Sequence, residues 1–187
     1  MKKHIRLWFA LPALGGLLAP CAPGLEYKNN TVLPAATSSA VHGRLAGNIH
    51  AQVNAYRQSL GKPALQRHAG LDRLAQQHAE FMLRNRGKFG DKSTHYGFEE
   101  RTLMAQRGMG ISDVGENVGT CRGAARPADM LVEAWKKSKG HQMNLKGGWT
   151  QTGIGVAVDN DGAVFATQLF GNVDHSHLSL TNRMRSF

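Results

Sequence analysis

Apolar side chains recur at helical spacing through the first two thirds of the chain and at strand spacing through the last third. Ile49, Val53, Tyr56 and Leu60 fall on one face of a helix expected from about Leu45 to Leu60. Gly61 and then Pro63 end it, because glycine accepts the turn that closes a helix and proline cannot continue one. Leu71, Leu74, Ala75, His78, Phe81 and Met82 share a face of a second helix, from about Ala69 to Asn85, ended by Gly87 and Gly90. A short third helix, Phe98 to Gln106, closes at Gly108 and Gly110. A fourth runs from about Ala128 to Lys137, with Pro127 in its first turn and Met130, Leu131, Ala134 and Trp135 as its buried face. From Gly153 to Val158 and from Ala163 to Leu169 the pattern becomes alternating or continuously apolar, rich in β-branched residues. Asp159-Asn160-Asp161-Gly162 between them is a hairpin turn. Helices first and a hairpin last predict an α+β domain, with helices packed on an antiparallel sheet.

The ends of the chain read differently. Lys2, Lys3 and Arg6 precede an apolar run, Leu7 to Ala19, that is too short to span a membrane and fits an export signal over residues 1–20. Leu18-Ala19-Pro20-Cys21 resembles a bacterial lipoprotein signal, although Pro20 stands where a small residue is usual. Two outcomes follow: lipidation of Cys21, which would anchor the protein to a membrane, or ordinary cleavage nearby and release of a soluble exported protein. In the first case Cys121 is a single free thiol. If Cys21 is retained without lipid, a Cys21–Cys121 disulfide becomes available in an oxidising compartment. Residues 21–44, with Pro23, Pro34, paired Asn and Thr-Ser-Ser, read as a flexible linker, and 173–187 as a polar tail. That leaves one domain over 45–172. Its location would be the periplasm, the outer membrane or the cell surface.

Composition narrows the classes. At 187 residues, 41% hydrophobic and 19% charged, the chain suits one globular domain with a real core. The formal charge is +10, and loss of Lys2, Lys3 and Arg6 with the leader lowers it to +7. A basic exported protein is suited to anionic envelope polymers or lipid headgroups. The cations form no stripe and interleave with no aromatic pattern, so nucleic acid is not an expected partner.

Three segments carry residues that a scaffold alone does not require: Ser93-Thr94-His95-Tyr96, Gly115-Glu116-Asn117-Val118-Gly119, and Trp135 to Asn144, which holds Ser138 and His141. Taken singly, each has a plain structural reading. Glu116 between glycines suits a surface turn, Asn117 a turn, Asn144 a helix cap and Trp135 the core. Their order adds information. Ser-x-His, Gly-Glu-Asn-Val-Gly, Trp-x-x-Ser-x-Gly-His-x-x-Asn, then Gly153-Ile154-Gly155-Val156 and Gln168-Leu169-Phe170-Gly171 resemble the CAP superfamily of cysteine-rich secretory, venom-antigen and pathogenesis-related proteins. Val53-Asn54-Ala55-Tyr56-Arg57 and Leu74 to Ala79 resemble the family's opening helices, so the resemblance covers roughly residues 46–171.

The resemblance implies an α–β–α sandwich with a surface cleft where two His and one or two Glu converge. His95, Glu116 and His141 carry over. The second Glu of eukaryotic members does not, since Ser138 stands three beyond Trp135 and Glu133 lies two before it. The eukaryotic disulfides are also absent, as in the bacterial branch. Two imidazoles and a carboxylate suit a divalent metal, with a water completing a tetrahedral Zn site. Without metal, Glu116 and His141 could act as an acid–base pair, and the same hydrogen bonds could equally be structural. No nucleophile is evident: neither Ser93 nor Ser138 sits in a Gly-x-Ser-x-Gly elbow, and Cys121 would need His95 or His141 as its base. The leading expectation is a binding module. It would hold a small molecule, lipid or cell-wall component at His95, Glu116, Asn117, Ser138, His141 and Asn144. A metal-assisted peptidase or esterase, and an adhesion protein with a purely structural cluster, are the alternatives.

Overall fold

A computed structural model describes residues 35–174. The export signal, Cys21, residues 21–34 of the linker and the tail from residue 175 lie outside the described residues. The chain runs α1 (Ala35–Ser59), β1 (Gln66–Arg67), α2 (Ala69–Arg84), α3 (Arg86–Phe89), α4 (Phe98–Met109), β2 (Ile111–Arg122), α5 (Pro127–Lys137), α6 (Lys139–Lys146), β3 (Gln151–Val158) and β4 (Ala163–Val173). The sheet order is β1-β3-β4-β2, with β1 parallel to β3 and the other pairs antiparallel. The expected hairpin is therefore β3–β4, extended by β2 on one side and by a two-residue parallel strand on the other.

Strand alternation sorts the core into two halves. Ile154, Val156, Val164, Ala166 and Phe170 pack with Ile49 and Val53 of α1, Leu131 and Trp135 of α5 and Leu145 of α6. Leu169 and Phe165 point the other way, toward Leu71, Leu74 and Met82 of α2 and Ala105 of α4. The result is the three-layer α–β–α sandwich that the resemblance implies.

The layers approach closely where the sequence is glycine. A Cβ on Gly155 would stand 2.1 Å from the amide nitrogen of Gln76, and one on Gly153 2.1 Å from the carbonyl carbon of Leu71. This approach lets α2 act as a surrogate strand, because β1 covers only Gln151 and Thr152 of β3. Asp72 Oδ1 accepts from Ile154 N at 2.9 Å; Gln76 Oε1 accepts from Val156 N at 3.0 Å while its Nε2 donates to Val156 O at 2.9 Å. The opposite edge is closed in the same manner. Trp135 Nε1 donates to Val118 O and Asn144 Nδ2 to Glu116 O, both at 3.0 Å. Side-chain capping of this kind leaves an edge a poor template for another chain.

Arg57 ties α1 to the turn before β3. It is fully buried, and its guanidinium donates to the carbonyls of Pro63 (3.0 Å), Leu145 (2.8 Å), Gly147 (2.9 Å) and Trp149 (3.3 Å).

The structure departs from the sequence reading in several places. α1 begins at Ala35, so residues 35–44 are helix rather than linker. Leu60 is exposed, because the helix ends at Ser59 and Leu60 lies past its last turn. On α5 the buried stripe is Ala128, Leu131, Val132 and Trp135, at i, i+3, i+4 and i+7; Met130 and Ala134 fall off that stripe and are exposed. α6 and β2, which carry His141 and Glu116, were not expected as elements.

Candidate functional site

Glu116 lies in β2, and its side chain is 1% exposed. Gly115 and Gly119 frame it for a steric reason. A Cβ on Gly115 would come within 2.9 Å of the Trp149 ring, and one on Gly119 within 2.9 Å of Leu131 and 3.0 Å of Trp135 Nε1. A buried carboxylate needs a partner, and Arg101, in the first turns of α4, supplies it. Arg101 Nε donates to Oε2 at 2.8 Å and Nη2 to Oε1 at 2.9 Å, while Nη1 reaches the carbonyl of Tyr96 at 2.9 Å.

His95 arrives on the loop before α4. Gly97, at a φ of 75°, makes the left-handed turn into the helix. His95 Nδ1 is 2.8 Å from Glu116 Oε1. The carboxylate can only accept, so Nδ1 carries the proton of this bond, and the ring's Nε2 is its second hydrogen-bonding nitrogen. The loop is held on both sides of His95. His78, buried on α2, donates from Nε2 to the Thr94 carbonyl at 2.7 Å, the His95 carbonyl accepts from Phe98 N at 3.0 Å, and Arg101 takes that of Tyr96. Burial holds the His78 imidazole below its ordinary pKa, against the pull of the Glu116 charge.

His141 comes from the opposite layer, on α6. Consecutive residues of β2 face opposite ways, Glu116 toward α4 and Asn117 toward α6, so the two imidazoles meet past the edge of the strand. Their ring centroids are 6.4 Å apart. Burial first, and then the neighbouring His95, lower the pKa of His141 and favour its neutral form.

The other expected ligand residues serve the frame. Asn117 is fully buried; its Nδ2 donates to the His141 carbonyl at 3.2 Å and its Oδ1 accepts from Asn144 Nδ2 at 2.9 Å. Asn144 also caps Glu116 O, and its own carbonyl accepts from Trp149 Nε1. The two amides thus bond to each other and to backbone carbonyls that hold β2 against α6. Ser138 is the junction at which α5 stops and α6 starts, so it sets where His141 emerges.

Both Glu116 oxygens are engaged, and among the described residues no three His, Cys, Asp or Glu side chains are grouped to hold a metal ion. His95, Glu116 and His141 in this arrangement do not fit a three-ligand zinc site. Glu116 accepts from His95 Nδ1 and so orients that imidazole. Cys121 is a free, half-buried thiol near the far end of β2, with its pKa raised by burial, and is not poised as a nucleophile. Two surface concavities lie away from these residues. One of about 370 Å³ is beside Leu103, Met104, Arg107 and Gly108, and one of about 400 Å³ is between α1 and the start of α5. The His95 side chain is 41% exposed, so its imidazole is open to solvent.

Sequence reasoning missed Arg101 and the role of His78. Both left a trace: each is a polar residue on an apolar helix face, Arg101 in line with Phe98 and Ala105, and His78 within the Leu74–Met82 stripe.

The comparisons agree with this architecture. No curated protein matches the chain. Among solved structures, it is similar to an outer surface protein of Borrelia burgdorferi (TM-score 0.59, 18% identity, covering 70% of this chain and 93% of that one). It is also similar to an extracellular protein with an SCP domain from Bacillus anthracis (TM-score 0.58, 25% identity, 76% and 45%). A third is a cysteine-rich secretory protein of Staphylococcus aureus (TM-score 0.53, 15% identity, 70% and 39%). The chain thus spans less than half the length of the latter two. The model of the CAP, or cysteine-rich secretory protein, family matches residues 50–170, the stretch that carries the sandwich, the Arg101–Glu116 pair and both imidazoles, and the chain belongs to that family.

Proposed function

We propose that this is an exported bacterial binding protein that holds a polar cell-envelope ligand between His95 and His141. The observation that carries the reading is the pair of imidazoles 6.4 Å apart, one of them fixed by a carboxylate that is itself fixed by Arg101. Such a pair offers hydrogen-bonding nitrogens at set positions without reorganisation. Among the described residues no Ser, Thr or Cys hydrogen-bonds to either ring, so covalent catalysis has no nucleophile in place. Export is supported by the leader-like first twenty residues and by the outer-surface and extracellular descriptions of the neighbours. Titration of the protein with solubilised peptidoglycan fragments, followed through the imidazole NMR signals, tests it. His95 and His141 signals should move together, and His95→Ala should abolish the response. A response that survives in both His95→Ala and His141→Ala would place binding elsewhere.

One observation favours a second reading. A carboxylate that holds an imidazole by Nδ1 is the base–orienter geometry of hydrolases, with His95 Nε2 able to take a proton from water. Full turnover of envelope-derived esters or peptides by His95→Gln would remove it.

A further inference from the structure

We infer that Tyr96 is a stacking platform for a sugar ring, so that the ligand of the His95–His141 cleft is a saccharide of the cell wall. The inference rests on the binding reading above and names its ligand class.

Tyr96 follows His95 directly, and its residue is 65% exposed, whereas Trp135, Phe165 and Phe170 are fully buried. An exposed aromatic ring usually has freedom to move; this one is braced. It stacks on Phe81 at a centroid distance of 5.4 Å and an interplanar angle of 8°. Phe81 stacks in turn on His78, at 5.8 Å and 14°. His78 is buried and bonded to the Thr94 carbonyl, so the three-ring stack is rooted in the core. The backbone of Tyr96 is pinned as well, its N donating to Thr94 Oγ1 at 3.2 Å and its carbonyl accepting from Arg101.

A rigid, flat, amphipathic ring on the surface binds at low entropic cost, because its conformation is set before the ligand arrives. Its chemical complement is a molecule with one flat C–H face and a polar rim. A pyranose has that shape: the C–H face would lie on Tyr96, and the hydroxyl or acetamido rim would meet His95 Nε2 and His141. A lipid chain is the poorer match, since it needs an enclosed apolar cavity, and the His95 side chain is 41% exposed.

The test is an NMR titration of the full chain with the tetramer of β-1,4-linked N-acetylglucosamine, in the parent protein and in Tyr96→Phe, Tyr96→Leu and Tyr96→Ala. The expected result is joint movement of the Tyr96 ring and the His95 and His141 imidazole signals. Kd should stay within about threefold for Phe and weaken about tenfold or more for Leu and Ala, since Leu keeps apolar area without a π face. Saccharide binding that moves the imidazoles and is equally tight in all three variants would overturn the platform. If the tetramer moves no signal while a cell-wall stem peptide or phosphatidylglycerol vesicles shift His95 and His141, the sugar is wrong and the binding reading stands. If none of the three probes moves either imidazole, both fall.

Discussion

Arg101 grips Glu116 by both carboxylate oxygens, Nε to Oε2 at 2.8 Å and Nη2 to Oε1 at 2.9 Å, at a depth where the Glu116 side chain is almost wholly removed from water. The pair closes a chain of contacts that ends at the cleft: Arg101 fixes Glu116, Glu116 fixes His95, and Arg101 also holds the carbonyl beside it. It connects α4 to the edge strand β2 and decides what Glu116 can do. A carboxylate bound in this way is an orienting group.

Breaking the pair from one side strands a buried charge. Arg101→Met should therefore cost about 3–5 kcal/mol of stability, measured by urea denaturation, and Arg101→Lys should recover only part of it because an ammonium cannot repeat the two-pronged contact. The double variant Arg101→Met with Glu116→Gln should be more stable than Arg101→Met alone. A single variant within about 0.5 kcal/mol of the parent would show that the pair does not bear on stability.

Stability should fall in mild acid. His78 and His141 both have pKa values lowered in the fold, in each case chiefly by burial. The unfolded chain takes up these protons near the ordinary value of about 6.5, and the folded protein only at lower pH. Stability is thus complete above that value and declines as pH drops from there toward the folded-state values. Melting temperatures by circular dichroism from pH 8 to pH 5 should show the decline, with a shallower slope in His141→Gln. A flat or rising profile would contradict the assignment.

Two glycines of the same residue type should respond oppositely to alanine. Gly155→Ala drives a methyl into the α2 backbone and should cost about 3 kcal/mol or prevent folding. Gly47→Ala, inside α1 with nothing within 4 Å of the new Cβ, should stabilise by about 0.5–1 kcal/mol. Thermal denaturation of the two variants side by side makes the comparison.

The Arg57 guanidinium satisfies three carbonyls around the α6–β3 turn and a fourth, that of Pro63, between α1 and β1. Arg57→Met keeps much of the volume but leaves those acceptors unpaired, and a loss of about 2–5 kcal/mol is expected. Amide hydrogen exchange should show the loss first over residues 145–150. Uniform loss across the sheet would mean that Arg57 supports the whole core instead.

The parts legible in the sequence were those whose signal is local. The Leu71–Met82 stripe, the stops at Gly61 and Gly110, and the Asp159–Gly162 turn mark α2, the ends of two helices and the hairpin, because periodicity and turn chemistry act over a few residues. The ordered motifs also brought His95, Glu116 and His141 to notice; in the fold His95 bonds Glu116, and its ring centroid lies 6.4 Å from that of His141. β2 was not legible. Gly115-Glu116-Asn117-Val118-Gly119 has poor strand propensity, and only pairing with β4 makes it a strand.

By itself, then, the sequence determined the class of fold, most element positions and which residues to watch. The tertiary structure decided their roles. Glu116 became an orienting group because α4 delivers Arg101 to it, and Asn117 and Asn144 became frame because α6 packs on the strand between them. His141 reached His95 because the last strand in the sheet order is an edge that two layers can reach around. The reason is physical: a side chain's chemistry depends on its partners, and those partners come from elements far apart in the chain, set by sheet order and layer packing rather than by neighbouring residues.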